Sequence, residues 1–202
     1  MGLRLGAKLC EPHQCPCGAE VSPEGTYGLA CRRSAGRTTR HHALNDLEYR
    51  ALGRANIPAV KEPVSLLMSD GKRPDGLTRI PWQAGKCMTW DVSVTSTLTE
   101  SYLLATSPTA GTAAEGAADQ KELKYQSLAH THTSSSMAFE TFGPINSKGA
   151  DFFYTLGQRI SACTSDMRET AFLFQRLSLT IQCINAVCFN GSFCFKNADL
   201  DS

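Results

Sequence analysis

The spacing of apolar residues changes along the chain, and these changes constrain the fold more than any other feature. Between residues 41 and 56, leucine and alanine recur at three- and four-residue intervals, which predicts a helix that ends before Pro58. Three stretches follow, AVKEPVSLL, DGKRPDGLTRIPW and GKCMTWDVSVTST, whose apolar residues predict three strands separated by glycine-containing turns. A helix is predicted from Ala113 to Leu128, a fourth strand at MAFETFG, and two long helices in DFFYTLGQRISAC and MRETAFLFQRLSLTIQCINAVCF.

The predicted order is therefore helix, three strands, helix, strand and two further helices. This order predicts an α/β fold in which a small mixed sheet carries helices on both faces. The 202 residues suffice for one such domain and a small appendage, but they are few for two full domains. We predict a cysteine-rich module at 1–40 and an α/β domain at 41–202.

A group of cysteines near the start predicts a metal-bound module. Residues 10–39 are rich in Cys, Gly, Pro, Thr and Arg without periodicity, which is typical of a small loop-built unit around a structural zinc ion. The predicted zinc donors are Cys15, Cys17, Cys31 and His41, with Cys10 and His13 as substitutes. A loop with free thiols is the alternative. The remaining cysteines lie among apolar residues and are expected to be small buried hydrophobic residues.

Two aspartates stand out by their positions on the predicted strands. Asp75 in KRPDGLT begins a strand, and Asp91 in TWDVSV lies within the next one, so pairing of these strands would bring the two side by side. An ionised carboxylate in an apolar strand is costly unless it is paired or binds a cation, and Mg²⁺ prefers such oxygen donors. Glu62 and Glu48 are candidate supporting acids. The alternative is that Asp75 is a turn residue and that Asp91 pairs with an Arg or Lys.

A Mg²⁺ ion held by two aspartates could assist the cleavage of a phosphodiester. Such a reaction also needs a group that orients water or offsets the charge of the transition state. The residue two positions beyond Asp91 is Ser93, so the strand itself offers no lysine. Lys121 and Lys124 in ADQKELKY share one face of the next predicted helix and are the candidates, with a solvated helix face as the alternative.

The charge of the chain bears on its partners. A net charge of +1 gives no overall basic field, so nucleic-acid binding would depend on local clusters, which are otherwise ordinary solvated loop charges. The residues predicted to contact phosphates are Arg37, Arg40, Lys72 and Arg73. No apolar run approaches the roughly 20 residues needed to cross a bilayer, and the start is too short and broken for a signal peptide, so we expect an intracellular chain without a membrane partner.

Eight stretches carry a resemblance to a known family. In chain order they are CPCGAEVSPEGTYGLAC, GRTTRHHALND, VKEP, DGKRPDG, TWDVSV, QKELKY, FETFG and QRLSLTIQ, and together they span roughly residues 10 to 190. Their order and spacing resemble the restriction-endonuclease-like, or PD-(D/E)XK, domain with its cysteine-rich zinc knuckle from the C-terminal part of site-specific non-LTR retrotransposon polyproteins. The resemblance implies the restriction-endonuclease-like core of helix, three strands, helix and strand.

The resemblance also implies a function, a metal-dependent endonuclease that nicks target DNA to prime reverse transcription in the nucleus. By position, Asp75 and Asp91 would be Mg²⁺ ligands, either Lys121 or Lys124 the catalytic lysine, and either Glu62 or Glu48 a supporting acid. The partners implied are a target DNA duplex and the RNA of the element.

This chain departs from the family pattern at three places. The family usually has His at the position of Tyr27, SSSM is more polar than usual, and CIN replaces a more basic pattern after Gln182. The alternative function is therefore a catalytically inactive nucleic-acid-binding remnant, and a third alternative is a folded product without function. The motifs of nucleophile-elbow hydrolases and of phosphate-loop nucleotide-binding proteins are absent from the sequence.

Overall fold

A computed structural model describes residues 2–31, 33–34, 36–68, 70–98 and 109–193, apart from the side chain of Arg37. The strands are β1 (His13–Gln14), β2 (Glu20–Val21), β3 (Ala59–Lys61), β4 (Gly76–Thr78), β5 (Met88–Thr95) and β6 (Thr133–Glu140). The α-helices are α1 (Tyr27–Ala30), α2 (Gly36–Arg54), α3 (Thr112–Lys124), α4 (Ser147–Thr164) and α5 (Glu169–Asn190). Short 3-10 helices lie at Gly2–Leu5, Val64–Leu66 and Gln126–Leu128.

Four strands form a mixed sheet in the order β3-β4-β5-β6. The first three pair antiparallel, and β6 pairs parallel to β5 after the crossover through α3. In the antiparallel register, Gly76 lies opposite Trp90, and in the parallel register Asp91 lies beside Ser136. The chain is thus a mixed α/β protein with a small mixed sheet flanked by helices, as predicted.

Strand β5 separates two different environments because successive side chains point to opposite faces of a sheet. Met88, Trp90 and Val92 belong to the main apolar core, which also contains buried residues of α2, α4 and α5. On the other face, Ala114 and Ala118 of α3 pack against Ala138 of β6, and their small side chains let α3 approach the sheet closely. The polar residues of β5 therefore lie on the side that α3 covers.

Several predicted elements differ at their ends. Helix α2 begins at Gly36 rather than residue 41, so it runs through the boundary placed at residue 40. Strand β3 is short because Pro63 has no amide hydrogen to donate to a sheet, and Val64–Leu66 forms a 3-10 helix instead. Strand β6 begins earlier than predicted, at Thr133, because the backbone of its polar first half already pairs with β5 from Met88 onward.

The N-terminal segment packs against the end of the last helix. Leu29 of α1 forms an apolar cluster with Ile184 and Cys188 of α5. The Arg40 guanidinium donates hydrogen bonds to the Leu29 carbonyl at 2.8 Å and to Cys188 Sγ at 3.2 Å. Since Arg40 is only 3 % exposed, it joins three helices rather than facing phosphates, which corrects its predicted role.

Helix α5 combines length with an apolar composition. Among the described residues, it is the one helix long and apolar enough to cross a membrane by these two measures. Helix α5 also packs against α1, α2 and α4.

Candidate functional site

The antiparallel pairing of β4 and β5 brings the two predicted aspartates together. Gly76 pairs with Trp90, so Asp75, the residue before β4, lies across from Asp91 on the same face. Asp75 Oδ2 accepts a hydrogen bond from the Val92 amide at 2.7 Å, which holds its carboxylate against β5. Asp91 is buried, and its pKa is raised by this burial and then by the charge of Asp75. The predicted pair is therefore present and electrostatically coupled.

Glu48 is the third acid of this site. It lies on α2, is 0 % exposed, and neither carboxyl oxygen has a hydrogen-bond partner within the described part of the chain. Burial raises the pKa of Glu48 well above its usual value, and the charges of Asp75 and Asp91 raise it further. A buried carboxyl group without a partner is costly, so this arrangement suits a bound cation.

The structure distinguishes Glu48 from Glu62, the other acid considered. Glu62 forms an ion pair with Arg73 and is more than half exposed. It does not join the acidic group, whereas Glu48 does. The backbone at Glu62 has a φ of 48°, a left-handed value that is uncommon for a residue with a side chain.

The structure also distinguishes the two candidate lysines. Lys121 Nζ lies 2.6 Å from Asp91 Oδ1, and the Lys121 side chain is one-third exposed. Lys124 Nζ instead donates a hydrogen bond to the Tyr125 hydroxyl at 2.9 Å. Burial lowers the pKa of Lys124, and the charge of Lys121 lowers it further. Lys121 therefore contacts the acids directly, and Lys124 contacts them through Tyr125.

Tyr125 completes the cluster, although the sequence did not single it out. Its hydroxyl lies 2.8 Å from Asp91 Oδ2 and 3.0 Å from the Arg73 carbonyl oxygen, either of which accepts its proton. Burial and the charge of Asp91 raise the pKa of Tyr125 above its ordinary value, so the hydroxyl keeps its proton. Tyr125 lies four residues after Lys121, which places both on one helical face and is the signal that could have identified it.

His41 lies at the acidic site and not with the cysteines. Its Nε2 is 3.3 Å from Asp75 Oδ1, and its Nδ1 is 3.1 Å from the Val92 carbonyl oxygen. The hydrogen bond to Asp75 raises the pKa of His41. The prediction of His41 as a zinc donor is therefore corrected, because α2 directs His41, Asn45 and Glu48 along one face towards the sheet.

The four residues predicted to contact phosphates are in different settings. Arg73 is paired with Glu62, Lys72 is exposed and lies 3.5 Å from Asp70, and Arg40 is buried. The side chain of Arg37 lies outside the described residues. Of this set, Arg73 contacts the acidic site, since its carbonyl oxygen accepts a hydrogen bond from Tyr125, and Lys72 precedes it in the chain.

Three thiols form a second site in the N-terminal segment. The Sγ atoms of Cys15, Cys17 and Cys31 all lie within 4.8 Å of one another, and these three cysteines could bind a metal such as zinc. Burial raises the pKa of Cys15 to about 11, whereas a hydrogen bond from Tyr27 lowers that of Cys17 to about 6. The Tyr27 oxygen lies 3.1 Å from Cys17 Sγ, beside the three sulfur atoms.

The substitute donors do not join this cluster. Cys10 Sγ faces the carbonyl oxygens of Ser22 and Pro23, and His13 bonds to Ser192 and stacks on Phe193. The remaining cysteines are only partly as predicted. Cys188 is buried and Cys87 is half-buried, Cys163 and Cys183 are exposed, and Cys194 lies outside the described residues.

No protein-family model and no curated protein matches this chain. The chemistry of the two sites is therefore inferred from their geometry. The first site combines three carboxyl groups, two lysines, a tyrosine and a histidine, and the second combines three thiols and a phenol.

Proposed function

We propose that the acidic site is the active site of a Mg²⁺-dependent DNA endonuclease of the restriction-endonuclease-like, PD-(D/E)XK type. The observation that carries this proposal is the convergence of Glu48, Asp75 and Asp91 with Lys121 Nζ 2.6 Å from Asp91. The order of helix, three strands, helix and strand from α2 to β6 supports the proposed core. The motif resemblance supports an origin in a non-LTR retrotransposon, with target duplex DNA as substrate, the RNA of the element as a further partner and the nucleus as its location.

The residues present fit Mg²⁺ rather than a softer metal. Every acidic donor is a carboxylate oxygen, and Mg²⁺ uses one or two carboxylates together with water and phosphate oxygens. Asp75 and Asp91 would hold the ion, and the unpartnered carboxyl group of Glu48 would support it. When bound, the ion would supply an activated water and would offset negative charge on the scissile phosphate.

The protein residues have separate tasks in this mechanism. Tyr125 donates to Asp91 and the Val92 amide donates to Asp75, so the two carboxylates are held in place before substrate binds. The Lys121 ammonium, which is one-third exposed, orients the attacking water or stabilises charge on the phosphate. Lys72 and Arg73 contact neighbouring phosphates without reading sequence.

We propose a structural role for the thiol site. A zinc ion held by Cys15, Cys17 and Cys31 would fix the N-terminal loops, with Tyr27 or a water molecule in the fourth position that His41 does not occupy. The bound ion would stabilise the packing of α1 on α5 because metal binding to such a loop contributes directly to folding.

Nicking of supercoiled plasmid in the presence of Mg²⁺ tests the acidic site. We expect Asp91→Asn and Lys121→Ala to lower the nicking rate on the order of hundredfold or more. Lys124→Ala should lower it less, because Lys124 contacts the acids only through Tyr125. Asp151→Ala is the matched control, since Asp151 is an exposed acid on α4 and should leave the rate unchanged.

Two results would contradict the proposal. Equal nicking by the wild-type and Asp91→Asn proteins would remove the acidic site from the reaction. DNA binding by the wild-type protein without Mg²⁺-dependent nicking would favour an inactive nucleic-acid-binding remnant. Thermal unfolding of each variant separates loss of chemistry from loss of fold.

A further inference from the structure

A groove between α2 and α5 lies outside both sites. It encloses about 680 Å³ and runs along three turns of each helix. Residues of α2 line one wall and residues of α5 line the other, with the same three- and four-residue spacing on both. They are Ala43, Asp46, Leu47, Arg50, Ala51 and Arg54 on the first wall and Leu173, Arg176, Leu179, Thr180, Cys183 and Ile184 on the second.

The floor of this groove is apolar and its second wall exposes apolar groups. Ala51, Leu173 and Ile184 are buried at its base, whereas Leu179 is 60 % exposed and Cys183 is exposed. Helix α5 is apolar in composition, yet only 33 % of its apolar 18-residue stretch is buried. An apolar stripe of this kind at helical spacing is what a second helix packs against.

The charge on the rim indicates the chemistry of the partner. Arg54 is neutralised by Glu169, and Asp46 is held by Lys61. The Arg50 side chain is 78 % exposed and lies 3.9 Å from Asp46, while Arg176 has no hydrogen bond or ion pair to any residue that the structure describes. One incompletely neutralised arginine thus stands on each wall, above an apolar floor.

We propose that this groove binds an acidic amphipathic helix of about three turns from a partner protein, with apolar residues on the floor and carboxylates between Arg50 and Arg176. The length follows from the walls, which extend about 17 Å at 1.5 Å per residue. Arginine pairs with carboxylates through charge-assisted hydrogen bonds. A nucleic-acid strand would match the arginines but would leave the apolar floor without a partner.

The groove and the acidic site occupy opposite faces of α2. At 3.6 residues per turn, Arg50 lies about 180° around the helix from His41, which contacts Asp75. A helix bound in the groove therefore leaves the acids accessible. The inference does not depend on the proposed nuclease activity.

Fluorescence polarisation with two labelled peptides of about twelve residues, three helical turns, tests this proposal. Both peptides carry leucines at helical spacing, and one has glutamates where the other has lysines at the rim positions. We expect the full chain to bind the glutamate peptide more tightly, and Arg50→Glu and Arg176→Glu each to weaken this binding about tenfold. The double variant should bind the lysine peptide more tightly than the glutamate peptide, and Leu179→Ala should weaken the binding of both peptides. Arg79 is an exposed arginine outside the groove, so Arg79→Glu should leave the binding of both peptides unchanged.

Four outcomes would overturn the proposal. They are no binding of either peptide, equal binding of both, and displacement of the peptide by a DNA duplex whose own binding is lost in Arg176→Glu. The fourth is self-association in sedimentation that Leu179→Asp abolishes, which would make a second copy of the chain the occupant. Circular dichroism of each variant shows whether it has folded.

Discussion

At the scale of single residues, Glu48 is the group whose environment most affects its chemistry. It is fully buried beside two aspartates, and its carboxyl oxygens lack hydrogen-bond partners in the described part of the protein. Its pKa is therefore raised well above the usual value near 4.5. A group whose folded pKa is raised binds its proton more tightly in the folded state, so it lowers stability as pH rises above the unfolded pKa.

This gives a prediction for pH dependence. Without metal, we expect wild-type stability to fall as pH rises from about 4.5 until the folded pKa of Glu48 is passed, and Glu48→Gln to remove most of this fall. At neutral pH the variant should be more stable by about 1–3 kcal/mol, because glutamine does not ionise. Urea unfolding at several pH values measures both. The same pH slope in the two proteins would show that Glu48 does not titrate in this way.

His41 and Tyr125 show which features of the site could be predicted from the sequence and which could not. A histidine near cysteines gives the same local signal whether it binds zinc or a carboxylate, and only the rotation of α2 on the sheet decides between them. The spacing of His41, Asn45 and Glu48 on one helical face was available from the sequence. Tyr125 was identifiable only by its position four residues after Lys121.

At the scale of elements, the sequence predicted the helices and the strand in which the apolar spacing repeats over many residues. Helices α4 and α5 and strand β5 lie where the apolar spacing placed them. The short strands were less predictable because β3 and β4 have three residues each, too few to show an alternation. The choice between Glu48 and Glu62 could not be made either, since it depends on the backbone turn at Glu62.

Helix α3 provides a matched pair of substitutions. Ala118 is buried against β6, so Ala118→Leu should overpack this contact and lower the free energy of unfolding by about 1–3 kcal/mol. Gly116 is exposed on the same helix, and a Cβ there meets nothing within 4 Å, so Gly116→Ala should raise it by about 0.5–1 kcal/mol. Urea unfolding of the two variants measures the difference. Equal effects would mean that α3 is not packed on β6.

At the scale of the whole molecule, the N-terminal segment packs directly against the helices of the α/β part. Arg40 links Leu29 of α1 to Cys188 of α5, and α2 continues from the thiol loops into the sheet-packed region without a break. The sequence shows that the N-terminal segment and the rest of the chain differ in composition. It could not show this contact, because the contact joins residues 148 positions apart.

This packing predicts that metal binding and global stability are coupled. Removing zinc with a chelator should lower the unfolding temperature of the whole chain, not only that of the thiol loops. Tyr27→His should strengthen zinc binding on the order of tenfold by supplying a nitrogen donor, whereas Tyr27→Phe should not. Chelator competition measures affinity, and calorimetry measures unfolding. An unfolding temperature unaffected by zinc would separate the two parts.

The parallel pairing of β6 with β5 has a consequence for synthesis on the ribosome. Strand β5 has eight residues, with an apolar side and one free hydrogen-bonding edge until the chain beyond Thr133 has emerged. An unpaired edge of that length is a template for strands of other molecules. Nascent or truncated chains that stop before β6 should therefore aggregate more readily than the full-length product, in which β6 pairs with that edge and Asn146 bonds to the backbone of β6.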